Sequence, residues 1–238
     1  MIKKNEEISV IITSIKDRNV TRENLGVLPK ECSEVIISKT IGLGKARNEG
    51  AIKAKGDVLV FFDDDLYIKP KIWKHLKKIK KGSFIMVFDG IAHGSTPEPV
   101  TRALVIYKDN FLKIGGFDES IKFSGEDREF FVKAIKKGLK PYSIKPENSY
   151  VHKDHPIRFK KSKYFAFMFM SEHAKILVKH GAYTRFYKSF RRWFLPFLPS
   201  YYSEKKTLRL FVSRTFYSLI RDGFVLYWIL RKETSTLK

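Results

Sequence analysis

Three consecutive aspartates, Asp63, Asp64 and Asp65, directly follow an apolar segment at residues 57–62. A run of Val, Leu and Phe without polar alternation is typical of a strand buried on both faces, and ligands bind at the carboxyl ends of such strands in open α/β sheets. Clustered carboxylates repel one another unless a cation lies among them, and Mg²⁺ or Mn²⁺ is commonly held by one or two carboxylates plus substrate phosphates. The pattern therefore predicts a metal–diphosphate site; a solvated acidic turn is the alternative, and it fits poorly after so apolar a strand.

The segments around the aspartates alternate between strand-like and helix-like patterns. Strands are predicted at residues 8–13, 34–38, 83–88 and 102–107, and the glycine-containing stretch 41–56 predicts a loop and short helix capped by Gly56. A lysine-rich helix is expected at residues 69–81. This alternation predicts an α/β fold built on one sheet.

Four segments, in this order, carry a resemblance to a known family. They are a Val-Ile-Ile-type strand at residues 8–13, Ala-Arg-Asn-Glu-Gly at 46–50, the Asp-x-Asp of residues 63–65, and Gly-Gly-Phe-Asp followed by Gly-Glu-Asp within 114–131. With these four segments in this order, about the first 150 residues resemble a family 2 glycosyltransferase. The resemblance implies the GT-A fold, a Rossmann-like nucleotide-diphospho-sugar transferase domain, here expected over residues 1–158, and a nucleotide-sugar donor.

The donor side of the site follows from the resemblance. It implies that Asp63 and Asp65 bind a divalent metal, Mn²⁺ or Mg²⁺, and that Asp63 and Asp64 contact the nucleotide sugar. Such a metal acts as a Lewis acid on the leaving diphosphate. Thr13 is expected at the base or ribose, and Lys45 and Arg47 are expected at the phosphates or base. In a chain with 47 Lys and Arg a surface charge is the alternative for either residue, and the family-like segment around Arg47 favours the binding role there.

Glu126 and Asp127 open a predicted helix after Gly125. Carboxylates at this end of a helix are stabilised by its dipole, so capping alone is one explanation. The resemblance implies more: in inverting transferases of this type, Asp127 would be the general base on the acceptor hydroxyl and Glu126 would position the acceptor. If the acceptor is a phosphate, its oxygen is already anionic and Asp127 would position it or act electrostatically.

His152 and His155 follow a strand-like Ser-Tyr-Val segment. Imidazole can bind Mn²⁺, and some GT-A enzymes complete the metal site with a histidine in this region, so His152 is the predicted third ligand and His155 is assigned to a loop. A surface histidine is the alternative. The sequence departs from the family at Ser38, Lys39 and Thr40, where relatives carry an acidic pair, so the nucleobase cannot be carried over from the resemblance.

Charge and cysteine content limit the setting of the reaction. The 238 residues carry a formal net charge of +22, which indicates polyanionic surroundings such as anionic membrane, nucleic acid or phosphate-bearing substrates. Cys32 is the only cysteine, which excludes an intrachain disulfide and fits a reducing compartment. No secretory signal is evident at the amino terminus, so a cytoplasmic location is expected.

The composition changes near residue 159 to Phe, Tyr, Trp, Met, Lys and Arg. Residues 185–197 and 208–230 predict amphipathic helices with aromatic and basic faces, which fit a membrane interface better than a spanning helix because Arg214, Arg221 and Asp222 would be costly in a bilayer. Residues 159–238 are therefore predicted to be a helical, membrane-associating appendage. A packed helical appendage or an oligomer interface is the alternative.

The sequence thus predicts a metal-dependent, inverting hexosyltransferase, peripheral on the inner face of the cell membrane. Its predicted partners are a nucleotide-sugar donor, a lipid-linked or glycan acceptor, and anionic lipid. Two rivals stay open: a basic protein that binds nucleic acid or another polyanion, which is less favoured because it leaves the Glu-Asp helix start unexplained, and a membrane scaffold that has lost catalysis.

Overall fold

The computed structural model describes residues 6–14, 24–89, 98–121, 125–145, 150–152, 175–176 and 178–180. The chain divides into two compact units, one of residues 1–122 and 126–158, the other of residues 123–125 and 159–238. In the second unit the described residues from 175 to 179 are helical. The predicted amphipathic helices at 185–197 and 208–230, and His155, lie outside the described residues. None of the helices among the described residues is long and apolar enough to cross a membrane.

The first unit is built on a six-stranded sheet in the order β2-β1-β3-β6-β5-β7. Its strands are β1 (Ile8–Thr13), β2 (Cys32–Ser38), β3 (Val58–Asp63), β5 (Ser83–Asp89), β6 (Glu98–Tyr107) and β7 (Lys140–Ile144). A two-stranded sheet pairs β4 (Leu66–Ile68) with β8 (Tyr150–His152). The helices are α1 (Leu43–Lys53), α2 (Ile72–Leu76), α3 (Lys108–Lys113) and α4 (Glu126–Lys136).

The centre of the sheet confirms the predicted strands. β1 runs parallel to both β2 and β3, and β3 runs antiparallel to β6. Val58, Leu59, Val60, Phe61 and Phe62 are all at most 1% exposed, as expected for a strand covered on both faces. The three parallel strands therefore end at one edge of the sheet, where Thr13, Ser38 and Asp63 lie in register.

Helix α1 lies very close to the sheet. A Cβ at Gly50 would be 2.5 Å from Cγ2 of Ile11, so only glycine permits this approach. The prediction that Gly56 caps this helix was wrong, because α1 ends at Lys53 with Ala54 in an extended conformation. Gly56 instead donates its N–H to Oγ of Ser9, and a Cβ there would lie 2.7 Å from that oxygen.

The lysine-rich helix predicted for residues 69–81 is much shorter, because only α2 is α-helical. Beyond it, Lys78 N–H donates to the carbonyl of His75 and Ile79 N–H to that of Leu76, so the chain tightens into i→i+3 turns. Seven lysines without an acidic residue in this stretch repel one another, which disfavours a longer helix. The helix predicted to open at Glu126 is confirmed as α4.

Candidate active site

The carboxyl ends of β1 and β3 place Thr13 beside Asp63 at the sheet edge. Thr13 is 7% exposed, and its Oγ1 is buried without a hydrogen-bond partner. Unpaired buried hydroxyls are uncommon in folded proteins, because each lacks the hydrogen bond that water would supply. Thr13 therefore offers an unused donor and acceptor at the edge where a ligand is expected.

The three consecutive aspartates occupy different environments. Asp63 ends β3 with a side chain that is 26% exposed, while Asp64 is 9% exposed and accepts a 2.8 Å hydrogen bond from Oγ of Ser14. Asp65 is half-buried in the turn before β4. The Ser14–Asp64 bond joins the end of β1 to this turn, so Asp64 helps to fix the turn that carries Asp63 and Asp65.

Arg47 connects the aspartate turn to helix α4. Its Nη2 donates to Oδ1 of Asp63 at 2.9 Å, and its Nη1 lies 3.2 Å from Oε1 of Glu126 and 3.5 Å from Oδ1 of Asp127. The Arg47 side chain is only 2% exposed. One guanidinium thus brings Asp63 together with Glu126 and Asp127, which lie more than 60 residues later in the sequence.

The loop between α3 and α4 supports this arrangement through Phe117. The ring of Phe117 lies 5.1 Å from the guanidinium carbon of Arg47 and stacks on Phe130 of α4 at a centroid distance of 4.6 Å. Asn48 holds the backbone of Phe117 on both sides, because its Nδ2 donates to the Phe117 carbonyl and its Oδ1 accepts from the Phe117 N–H. Gly44 makes room, with Cβ of Phe117 3.3 Å from the position of its missing Cβ.

Burial and the presence of several carboxylates around one guanidinium together shape the electrostatics of the cluster. Burial alone would lower the pKa of Arg47, but Asp63, Asp127 and Glu126 raise it above its ordinary value, so the guanidinium stays charged. Burial raises the pKa of Asp63, helped by the nearby charges of Asp65 and Glu126 and opposed by Arg47.

The pKa of Asp127 is raised well above its ordinary 3.8, first by burial and then by the adjacent charge of Glu126. Arg47 opposes this rise, as does the backbone N–H of Thr101, which donates to the Asp127 carboxylate. Strongly perturbed carboxyl pKa values are common among the acid–base groups of active sites. Asp127 therefore has the environment expected of an acid–base group.

The residues at the end of β3 fit a divalent cation in their chemistry. Asp63 and Asp65 are hard oxygen donors in one turn, and burial, with a smaller contribution from the charge of Asp65, raises the pKa of Asp63 against the opposing charge of Arg47. Within the described residues no group of three or more His, Cys, Asp and Glu side chains is arranged to hold a metal alone. Two carboxylates leave coordination positions on a divalent cation that phosphate oxygens of a substrate can fill.

His152 and Lys45 lie in positions consistent with their predicted roles, which stay predictions. In the β4–β8 ladder His152 pairs with Leu66, the residue directly after Asp65. Lys45 is 54% exposed near the start of α1, with its Nζ 3.9 Å from Oε1 of Glu49. Arg47, by contrast, is buried among carboxylates, and its predicted contact with the nucleotide sugar also stays a prediction.

Sequence reasoning missed several residues that shape the site. Phe117 and Asn48 lie inside the motifs that carried the family resemblance, yet nothing in their spacing indicated a contact between them. Ser14 directly follows Thr13, and Thr101 precedes the predicted strand at 102–107. Thr101 is fully buried, and its Oγ1 has no hydrogen-bond partner. Position beside a predicted site residue was the only available signal for Ser14.

Comparison with known proteins agrees with this architecture. Residues 18–133, just under half of the chain, match the family model described as glycosyl transferase family 2. An uncharacterized glycosyltransferase from Haemophilus influenzae is 29% identical over 178 residues, which cover 61% of this chain and 58% of that protein. The chain thus spans less than two thirds of this relative's length.

Solved structures show the same fold at low sequence identity. Glucosyl-3-phosphoglycerate synthase from Mycobacterium tuberculosis, in complex with Mn²⁺, uridine-diphosphate and phosphoglyceric acid, superposes with a TM-score of 0.57 at 14% identity, covering 74% of this chain and 79% of that one. A mannosyltransferase from Pyrobaculum calidifontis, in complex with GDP-Man and Mn²⁺, gives a TM-score of 0.51 at 15% identity, covering 78% and 64%. The chain therefore resembles family 2 glycosyltransferases over residues 18–133 and has the GT-A fold of these solved structures, as its sequence predicted.

Proposed function

We propose that this protein transfers a hexose from a nucleotide-sugar donor to an acceptor, with inversion at the anomeric carbon. One observation carries the proposal: Asp63 at the end of a parallel strand and Asp127 at the start of a helix share the guanidinium of Arg47. A carboxylate suited to the donor and a carboxylate suited to the acceptor thus lie at one edge of the sheet. The turn at Asp63, Asp64 and Asp65 with Thr13 is the donor half of the site, and Glu126 with Asp127 is the acceptor half.

In the donor half, the unpaired hydroxyl of Thr13 binds the ribose or base of the nucleotide, and Asp63 lies beside it. Asp64 contributes through the turn that it holds with Ser14. Lys45, exposed on α1, supplies a cation for the diphosphate. Since Ser38, Lys39 and Thr40 replace an acidic pair, the base is recognised without the acid that relatives present there.

A divalent metal, Mn²⁺ or Mg²⁺, would be held by Asp63, Asp65 and His152 together with the diphosphate. When bound, it would offset the negative charge that develops on the leaving nucleoside diphosphate. The pairing of His152 with Leu66 supports its place in this set, because it brings the histidine backbone next to the aspartate turn. The similar structures from M. tuberculosis and P. calidifontis, both in complex with Mn²⁺, support a metal as well.

In the acceptor half, Asp127 accepts the proton of the acceptor hydroxyl. The acceptor oxygen then forms the bond to the anomeric carbon while the bond from that carbon to the diphosphate oxygen breaks, and the nucleoside diphosphate leaves with the electron pair. Glu126 positions the acceptor. For a phosphate acceptor no proton has to be removed, and Asp127 then orients the phosphate oxygen. Attack from the face opposite the leaving group inverts the anomeric carbon.

The reaction is proposed to take place at the cytoplasmic face of the membrane, on a lipid-linked or glycan acceptor. The net charge of +22 supports an anionic partner surface. In and beside the short helix α2, Ile72, Trp73 and Leu76 are buried, whereas Lys71, Lys74 and Lys78 are exposed. These three exposed lysines are the proposed basic patch for anionic lipid.

The donor site is tested by thermal stabilisation with a panel of nucleoside diphosphates and nucleotide sugars, each with Mn²⁺, Mg²⁺ or chelator. We expect a metal-dependent shift with one nucleotide that is lost in Asp65→Ala. Asp57→Ala is the matched control, because Asp57 precedes the same strand at its opposite end and is exposed. No shift with any nucleotide would contradict the donor site and favour the scaffold or polyanion-binding alternatives.

Membrane and nucleic-acid binding are separated by co-sedimentation with phosphatidylserine vesicles, phosphatidylcholine vesicles, and phosphatidylserine vesicles plus single-stranded oligonucleotide, at low and high salt. We expect salt-sensitive binding to phosphatidylserine that Lys71→Gln, Lys74→Gln and Lys78→Gln together weaken. The same change at three other exposed lysines, Lys53, Lys137 and Lys140, is the charge-matched control. Oligonucleotide binding that is unaffected by lipid would favour the polyanion-binding alternative.

A further inference from the structure

We infer that Arg47 is a positioning residue that sets the spacing between Asp63 and Asp127 and does not touch the nucleotide sugar. This inference rests on the proposed function and departs from the sequence-based expectation that Arg47 binds the donor. It starts from the fact that both terminal nitrogens of the guanidinium are already engaged. Nη2 contacts Asp63, and Nη1 contacts Glu126 and Asp127.

The surroundings of Arg47 leave a phosphate no approach to it. Its side chain is 2% exposed, and the Phe117 ring lies 5.1 Å from the guanidinium carbon. The third nitrogen, Nε, is buried too, without a hydrogen-bond partner. Lys45, two residues earlier on the same helix, is 54% exposed, so the cation that can meet a diphosphate is the lysine.

An arginine suits this task because its fork is planar and rigid. Two nitrogens of one guanidinium hold carboxylates of different elements at a fixed separation, which a lysine ammonium on a flexible stem does not reproduce. Here one side of the fork faces β3 and the other faces α4. The distance between the carboxylates of Asp63 and Asp127 is therefore set by the guanidinium of Arg47, which lies between them.

The same contacts explain why Arg47 would affect the rate more than donor affinity. Asp63 is held independently by its strand, since β3 is paired along its length with β1 and, up to Phe62, with β6. The Asp127 carboxylate is held by Arg47 and by the N–H of Thr101. Displacing a reacting group by about 1 Å can cost about 100-fold in rate.

The experiment compares Arg47→Met and Arg47→Lys in the full chain with Lys53→Met, an exposed lysine on the same helix. Nucleoside diphosphate affinity with Mn²⁺ is measured by calorimetry, and kcat and KM for the donor are measured by nucleoside diphosphate release. We expect kcat to fall about 100-fold in Arg47→Met and at least about tenfold in Arg47→Lys, with the Kd of the nucleotide changed less than about threefold in both. Lys53→Met should match the wild type.

A double-mutant cycle with Asp127→Asn asks whether Arg47 acts through Asp127. If it does, Arg47→Met should cost less than about threefold further in kcat when Asp127→Asn is already present. Because Arg47→Met leaves buried carboxylates unpaired and could prevent folding, Arg47→Met with Glu126→Gln, compared with Glu126→Gln alone, provides a second background with less unpaired charge.

The outcomes separate the two proposals. Loss of nucleotide affinity by more than tenfold in Arg47→Met, with an additive cycle, would show direct donor contact and overturn the inference while leaving the proposed function standing. Wild-type protein that binds no nucleotide overturns the proposed function and the inference with it. An unchanged kcat in Arg47→Met overturns the inference alone.

Discussion

Asp63 and Asp127 lie on the same guanidinium, yet they are held in place by different kinds of structure. Asp63 ends a strand whose residues are paired with neighbouring strands and almost fully buried. Asp127 opens a helix, and its carboxylate meets Arg47 and the N–H of Thr101. Backbone ladders therefore fix the donor half, whereas a few side-chain contacts fix the acceptor half.

This difference predicts how each half tolerates substitution. A sheet ladder spreads the positioning of Asp63 over many hydrogen bonds, so single changes beside it should alter ligand contacts and leave the backbone in place. The acceptor half depends on Arg47, Phe117 and Asn48, so changes there should move the carboxylate of Asp127, the proposed general base.

The largest effect is expected at Asp127 itself. Asp127→Asn should lower kcat by about 10²- to 10⁴-fold, because the group that accepts the acceptor proton is lost, while nucleoside diphosphate affinity stays within about threefold of wild type. Steady-state kinetics and calorimetry measure the two quantities. Asp109→Asn, which changes an exposed carboxylate in the first turn of α3, is the control. A drop in thermal stability with normal kcat would show that Asp127 only caps α4.

A pH profile of kcat/KM should reveal the titration of Asp127 in the acceptor half. Asp127 acts as a base only when deprotonated, and burial with Glu126 raises its pKa, so activity should rise with pH through an acid limb above the ordinary value of 3.8. Below that pKa the rate should fall about tenfold per pH unit. An acid limb at the usual aspartate pKa would contradict the assigned environment, and a profile without one would favour a phosphate acceptor.

Two buried or half-buried asparagines offer a matched pair for the comparison. Asn48 clamps the Phe117 backbone, whereas Asn24 clamps β4 by accepting from the Ile68 N–H and donating to the Leu66 carbonyl. Each change to Ala should lower the free energy of unfolding by about 1–3 kcal/mol, because backbone groups lose their partners. Urea unfolding checks this.

The asparagine pair should differ in kinetics. Asn48→Ala is expected to lower kcat about tenfold with little change in nucleotide affinity, because Phe117 lies against Arg47. Asn24→Ala should act mainly on metal-dependent nucleotide binding, since β4 begins directly after Asp65. If both variants lower kcat equally, the two halves are not positioned independently and the contrast fails.

The smallest effect is expected at Lys45. Because its side chain is exposed, solvent and salt screen its charge, and Lys45→Met should raise the KM of the donor only about three- to tenfold. The increase should shrink at high salt, with kcat unchanged. A large fall in kcat with unchanged KM would instead give Lys45 the role proposed for Arg47.

The centre of the fold could be predicted from the sequence because its strands appear as local runs of apolar residues. Apolar runs marked β1 and β3, and the family order of motifs placed Asp63 and Asp127 in one site. The bridge between them could not be predicted from spacing, since Arg47 meets residues 16 and 79 positions away. Sequence patterns also failed where a contact with a distant residue determines the residue type. Gly56 was predicted to cap a helix, but a glycine is needed there because the backbone lies close to Ser9.

Gly50 follows Arg47 by three residues and has no side chain to offer a substrate. The missing Cβ would lie 2.5 Å from Ile11, so any larger residue has to push α1 away from the sheet. Such a shift would move the backbone of Arg47 with the helix while Asp63 stayed on its strand. A substitution at position 50 is therefore expected to affect the reaction indirectly. Even an added methyl group, which contacts no ligand, would make it harder for the Arg47 guanidinium to contact Asp63 and Asp127 at the same time.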